Sequence, residues 1–192
     1  FRRVLFRSRP FAWRFRTTDR TKRFNDRVLG PQETNARRTL GDFVVGKMDG
    51  SPAYQLAVVC DDHLMGVTEV LRGDDLLPST FRQLELYEAF GWTPPTFAHV
   101  PLVIGTDGRR LAKRHGDTRL ATLRQQGTSA QELIGLLAWS CSLRPTREPI
   151  AASDLLADFD LCRVTVASRI PKNLLQRAED HHLHKRFQSP LG

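Results

Sequence analysis

The sequence predicts an α/β protein, because a strand, a helix and a second strand follow one another in the middle of the chain. Residues 67–71 are the first strand candidate, and Arg72 follows directly. A helix is expected through residues 80–90, and the next strand over residues 97–104. Ligands of open α/β sheets bind at the carboxyl ends of strands, so Arg72 is expected in a site rather than in a core.

The segments that precede this unit alternate apolar and polar residues, which is typical of strands. Four strands are expected there in two pairs, residues 11–16 with 24–28 and residues 43–48 with 53–59. The second pair flanks Asp49-Gly50, a strong hairpin signal. Residues 61–65 are expected to form a single helical turn.

Two helices carry start signals in the sequence. Thr80 with Gln83, and Ser129 with Glu132, have the spacing of a capping box. Gly91 marks the end of the first of these helices. From residue 144 onward the periodicity weakens, and residues 144–192 are expected to be a short helical segment and tail.

The positive charge of the chain lies at one end. The formal net charge is +8, and residues 1–30 contain ten Lys or Arg against two Asp. Residues 1–8 are interpreted as a non-native extension, since R-V-L-F-R-S over residues 3–8 is what one frame through a common sequencing adapter would encode. The remaining basic segment, residues 9–27, is either a surface for nucleic acid or a solvated, Arg-rich sheet edge.

The composition excludes several protein classes. The three cysteines, Cys60, Cys141 and Cys162, are far apart and odd in number, which speaks against a disulfide framework or a zinc site and fits a reducing, cytoplasmic location. No apolar run approaches the about 20 residues of a membrane span. A signal peptide is not expected in residues 1–10.

Arg72 and Tyr54 are the first candidate site residues. A guanidinium fork binds a carboxylate with two parallel hydrogen bonds, which suits Arg72 to an acidic ligand. The alternative is an internal ion pair with Asp74 or Asp75. Tyr54, on the strand expected after the Asp-Gly turn, either contacts a ligand or packs in the core with its hydroxyl at the rim.

Lys113 lies in a basic loop, R-L-A-K-R, from Arg110 to Arg114. An ammonium group there can neutralise charge on a pyrophosphate leaving group, whereas the alternative is a solvated basic turn. Asp75 either hydrogen-bonds an ATP ribose or caps a helix. The pair Asp61 and Asp62 is interpreted as helix capping, and the histidines near residues 181–184 as part of a solvated tail, so no metal site is predicted.

The stretch A-Y-Q-L-A-V-V-C-D-D-H-L-M-G-V-T-E-V-L-R-G-D-D over residues 53–75, together with R-L-A-K-R, resembles the glutamyl-tRNA synthetase group of class I aminoacyl-tRNA synthetases. The resemblance covers residues 14–161 and implies the second half of a Rossmann-like catalytic domain over residues 9–143. It also implies that Tyr54 and Arg72 bind glutamate and that Lys113 is catalytic. ATP would be bound by Lys113, Arg110, Arg114 and Asp75, with Mg²⁺ accompanying the triphosphate.

Within this group the chain is most similar to the short paralogues that attach glutamate to the queuosine base of tRNA(Asp). The implied partners are L-glutamate, ATP and tRNA(Asp), with no membrane partner, and the implied state is a monomer. The similarity to the short paralogues is inferred mainly from the end of the chain, because only about 50 weakly patterned residues follow residue 143, less than a typical domain. A synthetase that charges tRNA(Glu), or an inactive nucleotide- or RNA-binding module, is the alternative.

Two departures from the group's pattern bear on activity. Arg110 replaces a lysine and Ala112 a serine in the loop motif K-[ML]-S-K-[SR], so the positive charge is retained and a hydroxyl contact to phosphate is lost. The group's first Rossmann half, with its H-I-G-H-type signature, and the paralogues' zinc-binding cysteines have no match in this sequence. The 192 residues are therefore expected to be inactive alone.

Overall fold

The computed structural model describes residues 11–102 and 120–164, which lie in two compact units, residues 1–100 and 101–192. The first unit contains three two-stranded sheets and three helices in its described part. Its strands are β1 (Trp13–Phe15), β2 (Thr21–Asp26), β3 (Gly30–Asn35), β4 (Phe43–Gly46), β5 (Glu69–Gly73) and β6 (Thr96–Val100). Its helices are α1 (Ala36–Thr39), α2 (Tyr54–Leu64) and α3 (Leu77–Phe90).

The β5-α3-β6 unit confirms the expected strand-helix-strand order. β5 and β6 are parallel, and Arg72 and His99 are opposite each other in the register. Arg72 is the fourth residue of a strand that ends at Gly73, so it lies inside the strand rather than after it. A 3₁₀ turn, Asp74–Leu76, connects β5 to α3.

The amino-terminal strands pair differently from the prediction. β1 is antiparallel to β4, while β2 forms a hairpin with β3, which the sequence analysis missed. The predicted pairing of residues 11–16 with 24–28 is therefore wrong. Phe15 and Phe43 lie opposite each other across β1 and β4, with ring centroids 5.4 Å apart, so a contact between residues distant in the chain determines the pairing.

The second strand of the predicted Asp49-Gly50 hairpin is a helix. The turn itself is present, because Asp49 accepts hydrogen bonds from the amide and hydroxyl of Ser51. Beyond a single bridge between Gly46 and Pro52, the chain enters α2 at Tyr54. The helical turn expected over residues 61–65 is the last part of this same helix.

The core of the first unit lies between β4, α2 and α3. Phe43, Val59, Leu86 and Tyr87 are buried together, one or two from each element, and partly buried neighbours pack around them. Burial of such side chains stabilises each by about 1.5–3 kcal/mol relative to exposure. The helix α3 ends at Gly91, whose φ of 67° is the left-handed conformation that glycine adopts readily, as predicted.

The predicted capping box at Thr80 and Gln83 is wrong. α3 starts three residues earlier, after Leu76, with Pro78 in its first turn and no side-chain cap. Thr80 and Gln83 are therefore inside the helix, with exposed fractions of 0% and 1%. Their polar atoms must find partners in the interior, and these partners lie in the candidate site.

The second unit is helical in its described part, with α4 (Leu120–Gln125), α5 (Ala130–Ser140) and α6 (Ala152–Leu155). The capping box of Ser129 and Glu132 at the start of α5 is confirmed, since the Ser129 hydroxyl accepts from the Glu132 amide and the Glu132 carboxylate accepts from the Ser129 amide. Among the residues described in both units, no helix has the length and apolar character for crossing a bilayer.

We expect Gly135→Ala to destabilise α5. A Cβ at residue 135 would lie 2.9 Å from the carbonyl carbon of Glu148, and closer still to its oxygen, and backbone cannot move aside as a side-chain end can. Overpacking of this kind costs about 1–3 kcal/mol. Hydrogen exchange of the α5 amides measures the effect, with the exposed Gln131→Ala as the control. Slower exchange in Gly135→Ala, as helix propensity alone would give, would contradict the expectation.

Candidate functional site

Arg72 is the centre of a hydrogen-bond network between β5, β6 and α3. Its Nε donates to Nε2 of His99 at 3.1 Å. Its Nη2 donates to Oγ1 of Thr80 at 2.6 Å and to Oε1 of Gln83 at 2.9 Å. The guanidinium also lies over the ring of Phe97, 5.3 Å from its centroid. Partners on two elements, β6 and α3, thus fix the orientation of a side chain that β5 carries.

The partners that hold the guanidinium are uncharged. Among the described residues, the acceptors that hold Arg72 are a hydroxyl, an amide and an imidazole, and no carboxylate is in direct hydrogen-bond contact with it. These bonds, rather than an ion pair with Asp74, orient the guanidinium. Nη1 donates no hydrogen bond to a described residue. Burial lowers the pKa of Arg72, opposed by nearby Tyr54 and Asp62. The arrangement is suited to an anionic ligand, a carboxylate above all.

The network continues into α2 through two glutamines. Nε2 of Gln83 donates to Oε1 of Gln55 at 3.0 Å, and Nε2 of Gln55 donates to the hydroxyl of Ser79 at 3.0 Å. The amide orientations follow from these bonds. The amide nitrogen of Gln83 is used in its bond to Gln55, so the amide oxygen of Gln83 is the atom directed at Arg72.

Asp26, the last residue of β2, anchors the network from the opposite side. Its Oδ1 accepts from the amides of Val28 and Leu29 at 3.0 and 2.9 Å and from the amide of His99 at 3.1 Å. Oδ2 lies 2.6 Å from Nδ1 of His99. Burial alone raises the pKa of Asp26, but these hydrogen bonds together outweigh it, and the pKa lies below its usual value.

Tyr54 and Asp62 lie on α2, eight residues apart and hence on one face of the helix. The strand predicted for Tyr54 is wrong, yet the residue is close enough to Arg72 for its phenol to affect the arginine's pKa. Its side chain is exposed, with 53% of its surface accessible, rather than packed in a core. The structure therefore places both predicted glutamate-binding residues in one region.

The interpretation of Asp61 and Asp62 as helix caps is wrong, since both lie in the last turns of α2 and not at its start. Burial raises the pKa of Asp62, and Arg72 opposes the shift. Tyr87 lies within electrostatic reach of both, and burial raises its pKa to about 12. The hydroxyl of Tyr87 is buried and has no hydrogen-bond partner among the described residues.

The residues predicted to bind ATP are mostly outside the described ranges. Lys113, Arg110 and Arg114 fall between residues 103 and 119, and the histidines at 181, 182 and 184 fall beyond residue 164. Asp75 is described: it lies exposed in the 3₁₀ turn that follows β5, near the carboxyl end of the strand. This is the edge where ligands of parallel sheets bind.

No metal-binding group occurs among the described residues, in which no three His, Cys, Asp or Glu side chains are close enough to hold an ion. Cys60, Cys141 and Cys162 are all described and are free thiols.

The described part of the basic segment is largely paired with carboxylates. Arg20 and Lys22 contact Glu88, Arg23 contacts Glu33, and Arg27 contacts Glu69. Each pair reduces the positive charge that the surface offers to phosphate groups. This finding favours the Arg-rich sheet edge over the nucleic-acid surface that the sequence left open.

The comparisons with known proteins agree with this arrangement. The family model for tRNA synthetases class I (E and Q), catalytic domain, matches residues 2–169. A glutamyl-Q tRNA(Asp) synthetase of Rhodopirellula baltica is 54% identical over 142 residues, which cover 71% of this chain and 43% of that protein. One of Symbiobacterium thermophilum is 50% identical, over 79% of this chain and 46% of that protein.

The fold is also similar to that of a solved structure. The glutamate tRNA ligase from Elizabethkingia meningosepticum, in complex with its amino acid, superposes with a TM-score of 0.76 at 31% identity, over 96% of this chain and 41% of that one. The α/β fold is thus that of a class I synthetase catalytic domain. The chain spans less than half the length of these relatives.

Proposed function

The chain belongs to the family of class I tRNA synthetases (E and Q), through their catalytic domain, and we propose that it serves ATP-dependent activation of glutamate and transfer of the glutamyl group to the queuosine base of tRNA(Asp). The observation that carries the proposal is the oriented guanidinium of Arg72, held by uncharged partners with Tyr54 nearby. Such a group binds a carboxylate without first breaking an ion pair to any carboxylate in the described ranges.

In the proposed reaction, the α-carboxylate of glutamate attacks the α-phosphorus of ATP, which gives glutamyl-adenylate and pyrophosphate. Arg72 holds the side-chain carboxylate of glutamate, with Tyr54 beside it. Lys113, with Arg110 and Arg114, neutralises charge on the leaving pyrophosphate, and Asp75 binds the ribose. Mg²⁺ accompanies the triphosphate. These residues position substrates and stabilise charge, so no protein nucleophile is required.

A second candidate is the charging of tRNA(Glu) at its 3′ end. Relatives named glutamate–tRNA ligase support it, including one from Aquifex aeolicus that is 41% identical over 80% of this chain. The two candidates share the glutamate site and the adenylate and differ only in the acceptor. The identity to the two glutamyl-Q tRNA(Asp) synthetases, 50% and 54%, favours the queuosine acceptor.

The acceptor can be tested with labelled glutamate. The test uses a joined protein, in which the amino-terminal half of the Rhodopirellula baltica relative precedes this chain. We expect the joined protein to label tRNA(Asp) that carries queuosine. It should leave tRNA(Asp) without queuosine, and tRNA(Glu), unlabelled. The 192-residue chain alone serves as the comparison and is expected to form no adenylate.

Three outcomes would contradict the proposal. Labelling of tRNA(Glu) at its 3′ adenosine would assign the second candidate. Equal labelling of both forms of tRNA(Asp) would exclude queuosine as the acceptor. No glutamate-dependent exchange between ATP and pyrophosphate by the joined protein would favour the inactive nucleotide-binding module.

A further inference from the structure

Asp26 and His99 form a buried pair behind Arg72. Their exposed fractions are 2% and 0%, and Nδ1 of His99 lies 2.6 Å from Oδ2 of Asp26. The amide of His99 donates to the other carboxylate oxygen, so the residue is bound to Asp26 at two points. The orientation of the imidazole is therefore fixed by β2, although His99 itself lies on β6.

The hydrogen bonds determine which ring nitrogen of His99 carries the proton. Nε2 receives the Nε–H of Arg72, and an arginine can only donate, so Nε2 must present its lone pair. The proton is then on Nδ1 and is donated to Asp26. A carboxylate that fixes the tautomer of a histidine, and so the group that the other nitrogen can bind, is a common arrangement at functional sites.

The same geometry explains how a buried acid can support a guanidinium without neutralising it. The parallel register puts His99 next to Arg72 on the adjacent strand, and the imidazole separates Asp26 from the arginine. Thr80 and Gln83 hold Nη2 with neutral oxygens. A carboxylate in place of His99 would pair with Arg72 directly and compete with a ligand for its charge.

We infer that Asp26 and His99 act as a positioning pair, in which neutral His99 with its proton on Nδ1 holds Nε of Arg72 so that the guanidinium is fixed and free to bind a ligand carboxylate. Neither residue is placed in contact with substrate. The effect on glutamate rests on the proposed function, whereas the hydrogen bond between Arg72 and His99 does not.

The hydrogen bond can be tested on the 192-residue chain without any substrate. NMR of the ¹⁵N-labelled chain is expected to show a scalar coupling between Nε of Arg72 and Nε2 of His99, a protonated Nδ1, and slow exchange of the Nε–H. Absence of the coupling, or a proton on Nε2, would overturn the inference. This measurement needs no variant, so it holds even if a substitution at residue 99 prevents folding.

Two substitutions separate positioning from packing. His99→Gln reaches the place of Nε2 with an acceptor oxygen but loses the group at Nδ1. His99→Asn keeps a donor near Asp26 and loses the acceptor for Arg72. We expect fast exchange of the Arg72 Nε–H in His99→Asn and intermediate exchange in His99→Gln, which keeps the acceptor for Arg72 but no longer has it oriented by Asp26. Equal exchange in both variants would show that His99 only packs.

In the joined protein described above, His99→Asn should raise the KM for glutamate about tenfold and change kcat less, while His99→Gln should restore KM to within about threefold of the parent. A fall of kcat alone in His99→Asn, with KM unchanged, would overturn the positioning role if Arg72→Ala does raise KM. If Arg72→Ala also leaves KM unchanged while the NMR results hold, the positioning pair stands and the proposed glutamate role of Arg72 is wrong.

Discussion

Replacing Arg72 by Ala in the joined protein is expected to raise the KM for glutamate at least tenfold. The side-chain carboxylate of glutamate is charged both in the ground state and in the transition state, so loss of its partner weakens binding throughout the reaction. A lost hydrogen bond to a charged group is worth about 1.5–3 kcal/mol, which corresponds to roughly ten- to hundredfold. Steady-state kinetics of pyrophosphate exchange at varied glutamate concentration measures the change.

Two further variants control this measurement. Arg72→Lys retains the charge but loses the fork that binds a carboxylate with two hydrogen bonds, so its KM should lie between those of the parent and Arg72→Ala. Arg23→Ala removes an exposed arginine of the same unit that pairs with Glu33, and its KM should equal that of the parent. A KM of Arg72→Ala within twofold of the parent would remove Arg72 from the glutamate site.

The strand-helix-strand unit could be predicted from the sequence because its signals are local. Two strand-like segments flank a longer helical pattern, and Gly91 ends the helix in the left-handed conformation as expected. The prediction of Arg72 as a site residue followed from its place at the end of a strand. Local patterns of this kind depend little on the rest of the fold.

The helix α2 was predicted as a strand because its sequence is ambiguous. A-Y-Q-L-A-V-V-C is a short run with β-branched residues after an Asp-Gly turn, and periodicity alone does not separate such a run from a buried helix. The spacing of Tyr54 and Asp62, eight residues, was the signal that would have placed both on one helical face. In the structure this segment is helical, and Val59 packs into the core from α2.

Thr80 and Gln83 show how one sequence pattern serves two structures. The spacing T-x-x-Q matches a capping box, but α3 begins earlier, and both side chains turn to Arg72. The true capping box at Ser129 is exposed to solvent, whereas Thr80 has no exposed surface. Burial, which the sequence does not state, distinguishes a cap from a member of a polar network.

Asp26 and His99 were missed because their relation is not local. They are 73 residues apart, and each lies in or at the end of a different strand. Only the parallel pairing of β5 with β6 brings His99 to Arg72, and only the end of β2 brings Asp26 to His99. A buried polar residue in an apolar strand needs a partner, which is the signal that His99 offered.

Lys113→Ala is expected to lower kcat for adenylate formation at least tenfold and to change the KM for glutamate little. Charge on the departing pyrophosphate grows as the bond to the α-phosphorus breaks, so a lysine that meets this charge acts more strongly in the transition state than in the ground state. This is the opposite of the result expected for Arg72→Ala, which should raise the KM for glutamate. Pyrophosphate exchange at saturating glutamate and ATP measures it.

The loop itself provides the control for that measurement. Arg109 carries the same charge but lies outside the R-L-A-K-R segment, so Arg109→Ala should leave kcat within about twofold of the parent if Lys113 acts by its position. Equal losses in Arg109→Ala and Lys113→Ala would mean that the loop contributes only general positive potential.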